Sequence, residues 1–352
     1  MQRLLFTLLL LFLCHIVFSQ VVKYGNDFLS IGAGARALSL GGGCIATSSG
    51  AEASFWNPAN LQHFGKLEIS ATHDNYFSGL ANYDFVAAAY SVDTVSDLGL
   101  SLVRLGVDDI QNTLQLFDAE GNMDFDRISY FSVADYAIFF SYGRKIQHIR
   151  GLSVGSSVKL IYRHEGKFAN AVGFGVDLAA SWRRKSFSAG VVLRDATSTF
   201  DVWNVDKSQF DSVFVSTGNT IPENSTEIIP PSLRFSVAYK FKIKDFIISP
   251  ETGATVFFDG HRNYLVSGEM LSINPFFACE FSYKGIVFLR GGLTDFQKNN
   301  NLYLSKSFSF VFSCGAGIAF KHFSFDYTFL NTSKDSYDYK SNVFTLKVNF
   351  LN

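Results

Sequence analysis

From Leu61 onward the chain keeps a two-residue period of apolar and polar positions to its end, and this period limits what it can fold into. Phe323, Phe325, Tyr327 and Phe329 alternate with Ser324, Asp326 and Thr328. Phe344, Leu346, Val348 and Phe350 alternate with Thr345, Lys347 and Asn349, and Phe235, Val237, Tyr239 and Phe241 with Arg234, Ser236, Ala238 and Lys240. Successive side chains of a strand point to opposite faces, so each segment reads as a strand with one apolar and one polar side. Soluble sandwiches share that period. Three features separate this chain from them. The segments run about ten residues, enough to cross a bilayer when tilted. Their apolar faces stay aromatic to the segment ends, as interfacial girdles require. The connections alternate between tight turns, as at Arg184-Lys185, Lys244-Asp245 and Lys321-His322, and long loops at 107–131, 196–231, 294–303 and 332–342.

Composition agrees. Charged residues make up 17% of the 352 and aromatics 16%, with 38 Phe, whereas soluble chains carry about a quarter charged residues. Beyond the N-terminus no apolar run reaches the roughly 18 residues of a membrane helix. The net charge of −1 gives no basis for nucleic acid as a partner. Fifteen candidate strands can be marked, from 66–74 to 343–350, but a barrel with both ends on one side needs an even number. Treating 262–284 as one element interrupted near Asn274-Pro275 leaves fourteen. The expected fold is an all-β transmembrane antiparallel barrel of about 14 strands over residues 65–352, with outer-membrane lipid around it and both termini periplasmic.

Ahead of the barrel, residues 1–19 read as a signal peptide: Arg3, an apolar core from Leu4 to Phe18, and small residues at Val17 and Ser19 before Gln20. Residues 20–64 match neither neighbour. Phe28 to Leu61 is rich in small residues, among them Gly32, Gly34, Gly41 and Gly42, carries Arg36, and closes on Trp56-Asn57-Pro58. About eight strands already give an interior that side chains can fill, so a fourteen-stranded lumen needs an occupant. This stretch is expected to plug it. A buried cation is costly unless paired, so Arg36 is expected to anchor the plug to an inward carboxylate, with Asp84, Asp177 and Asp326 as candidates, or to carbonyls. Asn-Pro favours a turn and an extended residue before it, which makes Trp56-Asn57-Pro58 the second anchor. The cysteines of the mature chain, Cys44, Cys279 and Cys314, are odd in number and far apart, and read as packing residues.

No motif supports catalysis. Gly32-Ala33-Gly34-Ala35-Arg36-Ala37 looks like a dinucleotide loop, but lacks the strand, helix and acidic residue of that unit. Gly151-Leu152-Ser153-Val154-Gly155 matches a nucleophile elbow in letters, yet Val158, Leu160 and Tyr162 continue a strand where a helix is required. The seven histidines show no metal-ligand spacing. No catalytic residue, cofactor or metal is expected.

The run Gly34-Ala35-Arg36-Ala37, then Gly41-Gly42, Ala46 and Trp56-Asn57-Pro58-Ala59, resembles the N-terminal signature of the PorV/PorQ family, outer-membrane proteins of the type IX secretion system related in fold to FadL-type barrels. Leu289-Arg290-Gly291-Gly292, Gly315-Ala316-Gly317-Ile318 and Phe325-Asp326-Tyr327 extend the resemblance over nearly the whole mature chain. Ser30 to Gly34 depart from the Asn-Pro-Asp type run of PorV itself. The resemblance implies a fourteen-stranded barrel with its N-terminal segment in the lumen, in a Gram-negative outer membrane. It also implies partners among type IX secretion proteins and cargo C-terminal domains. Loop 196–231, with Asp201, Trp203, Phe210 and Phe214, is then the expected docking surface. The alternative is a FadL-like channel for small hydrophobic molecules, which requires a gap in the wall or a cavity in the lumen.

Overall fold

A computed structural model describes residues 25–352 except 63–64, 118–120, 211–219, 221–222, 300–306, 332–339 and 351–352. The proposed signal peptide and Phe214 lie outside the described residues.

Fourteen antiparallel strands form the wall. They are β1 (Leu67–Tyr76), β2 (Ala81–Ser91), β3 (Ser96–Asn112), β4 (Ser129–Lys145), β5 (Leu152–Glu165) and β6 (Ala169–Arg184). Next come β7, in two pieces (Phe187–Arg194 and Thr199–Val205), and β8, in three (Thr226–Ile229, Ser232–Tyr239 and Phe241–Ile243). The set ends with β9 (Phe246–Phe257), β10 (Ser272–Tyr283), β11 (Val287–Asn299), β12 (Ser307–Phe320), β13 (Phe323–Asn331) and β14 (Lys340–Phe350). Each strand pairs with its sequence neighbours, and β1 closes on β14 from Leu67↔Phe350 to Asn75↔Asn342. Closure leaves no edge unpaired, which a strand structure in hydrocarbon requires.

The faces are inverted relative to a soluble protein. Phe277, Phe281, Phe323, Phe325, Phe344 and Leu346 are exposed on the outside, while Ser70, Ser141, Ser157, Thr328 and Thr345 are buried inside. Water would penalise that exterior, whereas a lipid phase matches it.

The count of fourteen holds, but three expected boundaries shift. Residues 262–271 do not form a wall strand; only Val266–Ser267 pairs briefly with β10, and β10 runs straight through Pro275. β3 and β4 extend well past the expected ends, so the connection shrinks to 113–128. And 199–205 and 226–229 belong to the wall, although 196–231 read as a loop. The alternation there, Phe200 and Val202 out with Thr199 and Asp201 in, was masked by the break between the two pieces of β7. Asp84 was expected to face inward. It faces outward instead, beside His73 and Arg104, because on β2 the inward positions are Tyr83, Phe85, Ala87 and Ala89. Both faces of β2 carry apolar residues, so the alternation gave the wrong phase.

Residues 27–61 lie inside the barrel. Two short helices, α1 (Ala35–Ser39) and α2 (Ala53–Trp56), are joined by turns and are buried except at the half-buried Arg36. Phe55 packs edge-on against Trp56, Phe85 and Phe139, with ring centroids 5.2, 6.0 and 5.5 Å away. Ala35 N donates to Thr345 on β14 (2.8 Å) and Ala46 N to Ser236 on β8 (2.8 Å). The segment therefore touches opposite sides of the wall.

Candidate functional site

The inner segment divides the lumen. One cavity of about 450 Å³ lies on its long-loop side, and a second of about 250 Å³ on its short-turn side. Gly41 and Gly42 line the first, Leu40 and Thr47 the second. Gly41 and Gly42 take φ of +63° and +70°, a left-handed turn that side chains disfavour. The neighbouring Gly43 presses on the wall: a Cβ there would stand 2.1 Å from Cδ2 of Phe276. This thin turn separates the cavities.

Charge holds the segment in place. Arg36 Nε donates to Glu280 Oε2 at 2.9 Å, and its Nη1 to the Thr47 carbonyl at 3.3 Å. Glu280 also accepts from Arg290 Nε (2.7 Å), Arg290 reaches Asp326 (2.6 Å), and Lys347 joins Asp326 (4.0 Å) to Glu52 of the inner segment (3.0 Å). The chain of charges thus leaves the segment at Arg36 and returns to it at Glu52. Of the expected partners for Arg36, Asp326 is reached only through Glu280 and Arg290, Asp177 pairs with Lys159 (2.9 Å), and Asp84 is outside. Burial pushes the Glu52 carboxyl up, with Lys347 working against it, and burial pushes the Cys44 thiol up.

Trp56 Nε1 donates to the Ala33 carbonyl at 2.6 Å, and a Cβ on Gly32 would come within 2.9 Å of the indole. A Cβ on Gly34 would stand 2.6 Å from the Glu52 carboxylate. Asn57 Oδ1 accepts from Ala59 N (3.1 Å), its Nδ2 donates to the Ile45 carbonyl (2.8 Å), and Pro58 opens the following turn. These contacts staple the two ends of the segment together.

Two further holders went unnoticed in the sequence. Arg183, next to the Arg184-Lys185 turn, turns inward and donates to the carbonyls of Ala46 (3.1 Å) and Ser48 (2.5 Å). Glu251 accepts from Ala46 N (2.9 Å), Ser236 (2.6 Å) and Thr47. A lone charge in a strand with no other charged residue, as at Glu251 and Glu280, was the available signal.

The first cavity reaches the wall at Arg194, Asp195 and Ile229 to Ser232, where the wall is interrupted. Leu178 of β6 faces Leu193, but Phe174 faces Phe200. Four steps on β6 (178 − 174) thus correspond to seven on β7 (200 − 193), so β7 carries three extra residues. Its inward positions change from even, at Arg194, to odd, at Thr199. On the other side Arg194 faces Ser232 and Thr199 faces Ile229, with nothing paired between. Pro230 and Pro231 fill that gap on β8 and offer no N–H to a ladder. Asp195 and Ser198 take φ of +52° and +60°, conformations rare for non-glycine residues.

The lip of this break is pinned. Lys159 Nζ, almost fully buried, contacts Asp177 at 2.9 Å and Asp195 at 2.6 Å, and Thr199 donates to Asp195. Gly175 makes room for it: a Cβ there would meet Lys159 Cε at 2.7 Å. The break is thus a built feature held by three charges.

No family model and no curated relative matches the chain. Solved structures do. The CymD monoaromatic hydrocarbon channel is 13% identical, with a TM-score of 0.58 over 92% of this chain and 98% of that one. The toluene transporter TbuX of Ralstonia pickettii gives 0.55 at 13% identity over 91% and 98%. A FadL homologue of Pseudomonas aeruginosa gives 0.50 at 12% over 90% and 97%. The chain has the fold of these FadL-type outer-membrane channels.

Of the proposed docking residues, Asp201 and Trp203 share the inward face of β7. Asp201 is fully buried and points inward from β7. Trp203 lies under the Arg163 guanidinium at 4.9 Å, and Phe210 packs on Phe168 at 5.5 Å. Asp201 and Trp203 are parts of the wall.

Proposed function

We propose that the protein is a FadL-like channel of a Gram-negative outer membrane, its long loops outward and both termini periplasmic, taking small molecules with an apolar part. They enter the outer cavity, are stopped by the plug at Leu40 to Gly43, and leave sideways through the break between 195–198 and Pro230-Pro231. The observation that carries this reading is the meeting of the cavity with an interrupted, charge-pinned wall. A ligand cavity of this size is ordinary for a small molecule, and a lateral exit spares it a passage through the anchored plug. The fold shared with channels named for toluene and monoaromatic hydrocarbons points the same way. The test is uptake: cells without channels of their own, given this chain, are expected to take up radiolabelled toluene faster than the empty host, and equal rates would dismiss the proposal.

A second reading follows from the PorV/PorQ-like run: a component of type IX secretion, binding translocon proteins or cargo C-terminal domains at 196–231. The residues of that run here form the plug and its staples, work that a channel equally needs, and two of the docking candidates are wall residues. Support for this reading is therefore the resemblance alone. Pull-down of the chain from a host that has the system, recovering translocon proteins, would revive it.

A further inference from the structure

On the outer pieces of β7 and β8, beyond the break, the wall carries more negative than positive charge. Asp201 of β7 pairs with Gly173 of β6 on one side and Glu227 of β8 on the other. It is fully buried, and among the described residues neither of its oxygens has a hydrogen-bond partner. A Cβ on Gly173 would overlap Asp201 Oδ1, so the carboxylate occupies room that only a glycine leaves. The cation facing this group is Arg163 of β5, and it is shared. Its Nε donates to Asp135 at 2.9 Å, and its Nη atoms stand 3.9 Å from Glu165 and 3.9 Å from Glu227. Four carboxylates (Asp135, Glu165, Asp201 and Glu227) therefore meet one guanidinium. Asp27 adds a fifth between Arg163 and Arg262, and Arg262 already holds Asp259. Lys159 brings no relief, being engaged by Asp177 and Asp195.

A second observation comes from the inner segment. Asn26, at its head, sits beside the Asp201 carboxylate. It is 8% exposed, and neither its amide oxygen nor its amide nitrogen has a hydrogen-bond partner. Buried polar groups are ordinarily satisfied, and a buried carboxylate left unmet is costly. The groups converging here offer oxygen alone, two carboxylates and an amide, which suits a hard divalent cation. Calcium accepts carboxylates and amide carbonyls in irregular arrangements and completes its shell with water. Asn26 lines the outer cavity, which gives an ion and its waters a way in from outside. We propose that Asp201, Glu227 and Asn26 bind a calcium ion, while Asp135 and the Trp203 ring, 4.9 Å from the guanidinium, keep Arg163 to one side. The ion ties the head of the inner segment to the wall beyond the break, where the anchors at Arg36, Glu52 and Trp56 do not reach. The three ligands lie far apart along the chain, so no spacing in the sequence announces them. The site goes beyond the channel reading and does not depend on it.

The test uses the full chain, refolded in detergent free of lipopolysaccharide and stripped with EDTA. Calorimetric titration with calcium chloride is expected to give one site of about 10⁻⁴ to 10⁻³ M, the range of extracellular calcium modules. Asp201→Asn and Glu227→Gln are each expected to weaken it at least about tenfold, since affinity at such sites follows the charge of the ligands. Asp245→Asn, in an exposed turn at the other end of the barrel, should leave it unchanged. Terbium serves as a second probe, because Trp203 lies two residues from Asp201 on the same face and can pass excitation to a bound ion. Sensitised emission should appear in the wild type and fall as calcium displaces terbium. In Trp203→Phe it should be largely lost while the calcium titration stays within about twofold. Heat-modifiable migration on a denaturing gel checks that each variant is folded, and Glu227→Gln carries the test should Asp201→Asn fail to fold. No calcium binding by the wild type would overturn the proposal, as would equal affinity in the folded carboxylate variants. Undiminished terbium emission from Trp203→Phe would place the ion elsewhere and overturn it too.

Discussion

Glu280 is the shared acceptor between plug and wall, so its removal and that of Arg36 should have unequal costs. In the wild type it takes Arg36 Nε at 2.9 Å, Arg36 Nη2 at 3.4 Å and Arg290 Nε at 2.7 Å. Glu280→Gln removes the negative charge from two guanidinium groups at once. Arg290 keeps Asp326, but Arg36 is left with the Thr47 carbonyl at 3.3 Å. Breaking a buried pair in this way costs about 3–5 kcal/mol. Arg36→Met leaves Glu280 still paired with Arg290, so only hydrogen bonds to a charged group are lost, about 1.5–3 kcal/mol. In the double variant the stranded Arg36 charge is absent, and its total should fall below the sum of the singles by at least about 1 kcal/mol. Urea titrations of the barrel in phosphatidylcholine vesicles, followed by tryptophan fluorescence, give all three numbers. Additive single effects, or Arg36→Met costing more than Glu280→Gln, would refute the idea that this carboxylate latches the plug.

Other substitutions probe the remaining contacts. Trp56→Ala empties a buried indole site and loses the bond to Ala33, and should cost about 3–5 kcal/mol in the same titration. Lys159→Met leaves Asp177 and Asp195 facing each other at the lip, an expected loss of about 3–5 kcal/mol. Adding Asp177→Asn to that variant should recover part of it. Gly43→Ala sets a methyl 2.1 Å from Phe276 and 2.9 Å from the Leu40 carbonyl, an overpacking of about 1–3 kcal/mol, which Phe276→Leu should relieve.

The strand period, the lipid-facing aromatics and the count of fourteen were all legible in the sequence, because a wall with lipid on one side and a lumen on the other imposes alternation on every strand. The route of the chain through the lumen was legible in part: small residues around Arg36 and the Trp56-Asn57-Pro58 turn marked a segment meant for close packing. Its partners were not. Glu280, Arg290 and Lys347 lie some 240 to 310 residues from Arg36 and Glu52 along the chain, and nothing local ties a strand's charge to one anchor rather than another. Asp84 misled because β2 faces the aromatic cluster around Phe55, so both of its faces are apolar and the phase is ambiguous. The wall break was hidden by its own bulge: three extra residues on β7 shift the inward face from Arg194 to Thr199, so the alternation falls out of step and the piece beyond reads as loop. Pro230-Pro231 was the visible trace of it.

The central claim is that ligands leave through that break, and a register repair tests it most directly. Removing Ala196 to Ser198 takes the three extra residues out of β7 and returns Thr199 to the inward phase of Arg194. Replacing Pro230-Pro231 by a single threonine does the same for β8 and restores an N–H for the ladder. The repaired barrel should fold and show heat-modifiable migration. Uptake of radiolabelled toluene by cells carrying it is expected to fall to the level of the empty host, while a variant with the same deletions placed in the 113–128 connection keeps its rate. Undiminished uptake by the folded, repaired barrel would contradict the lateral route.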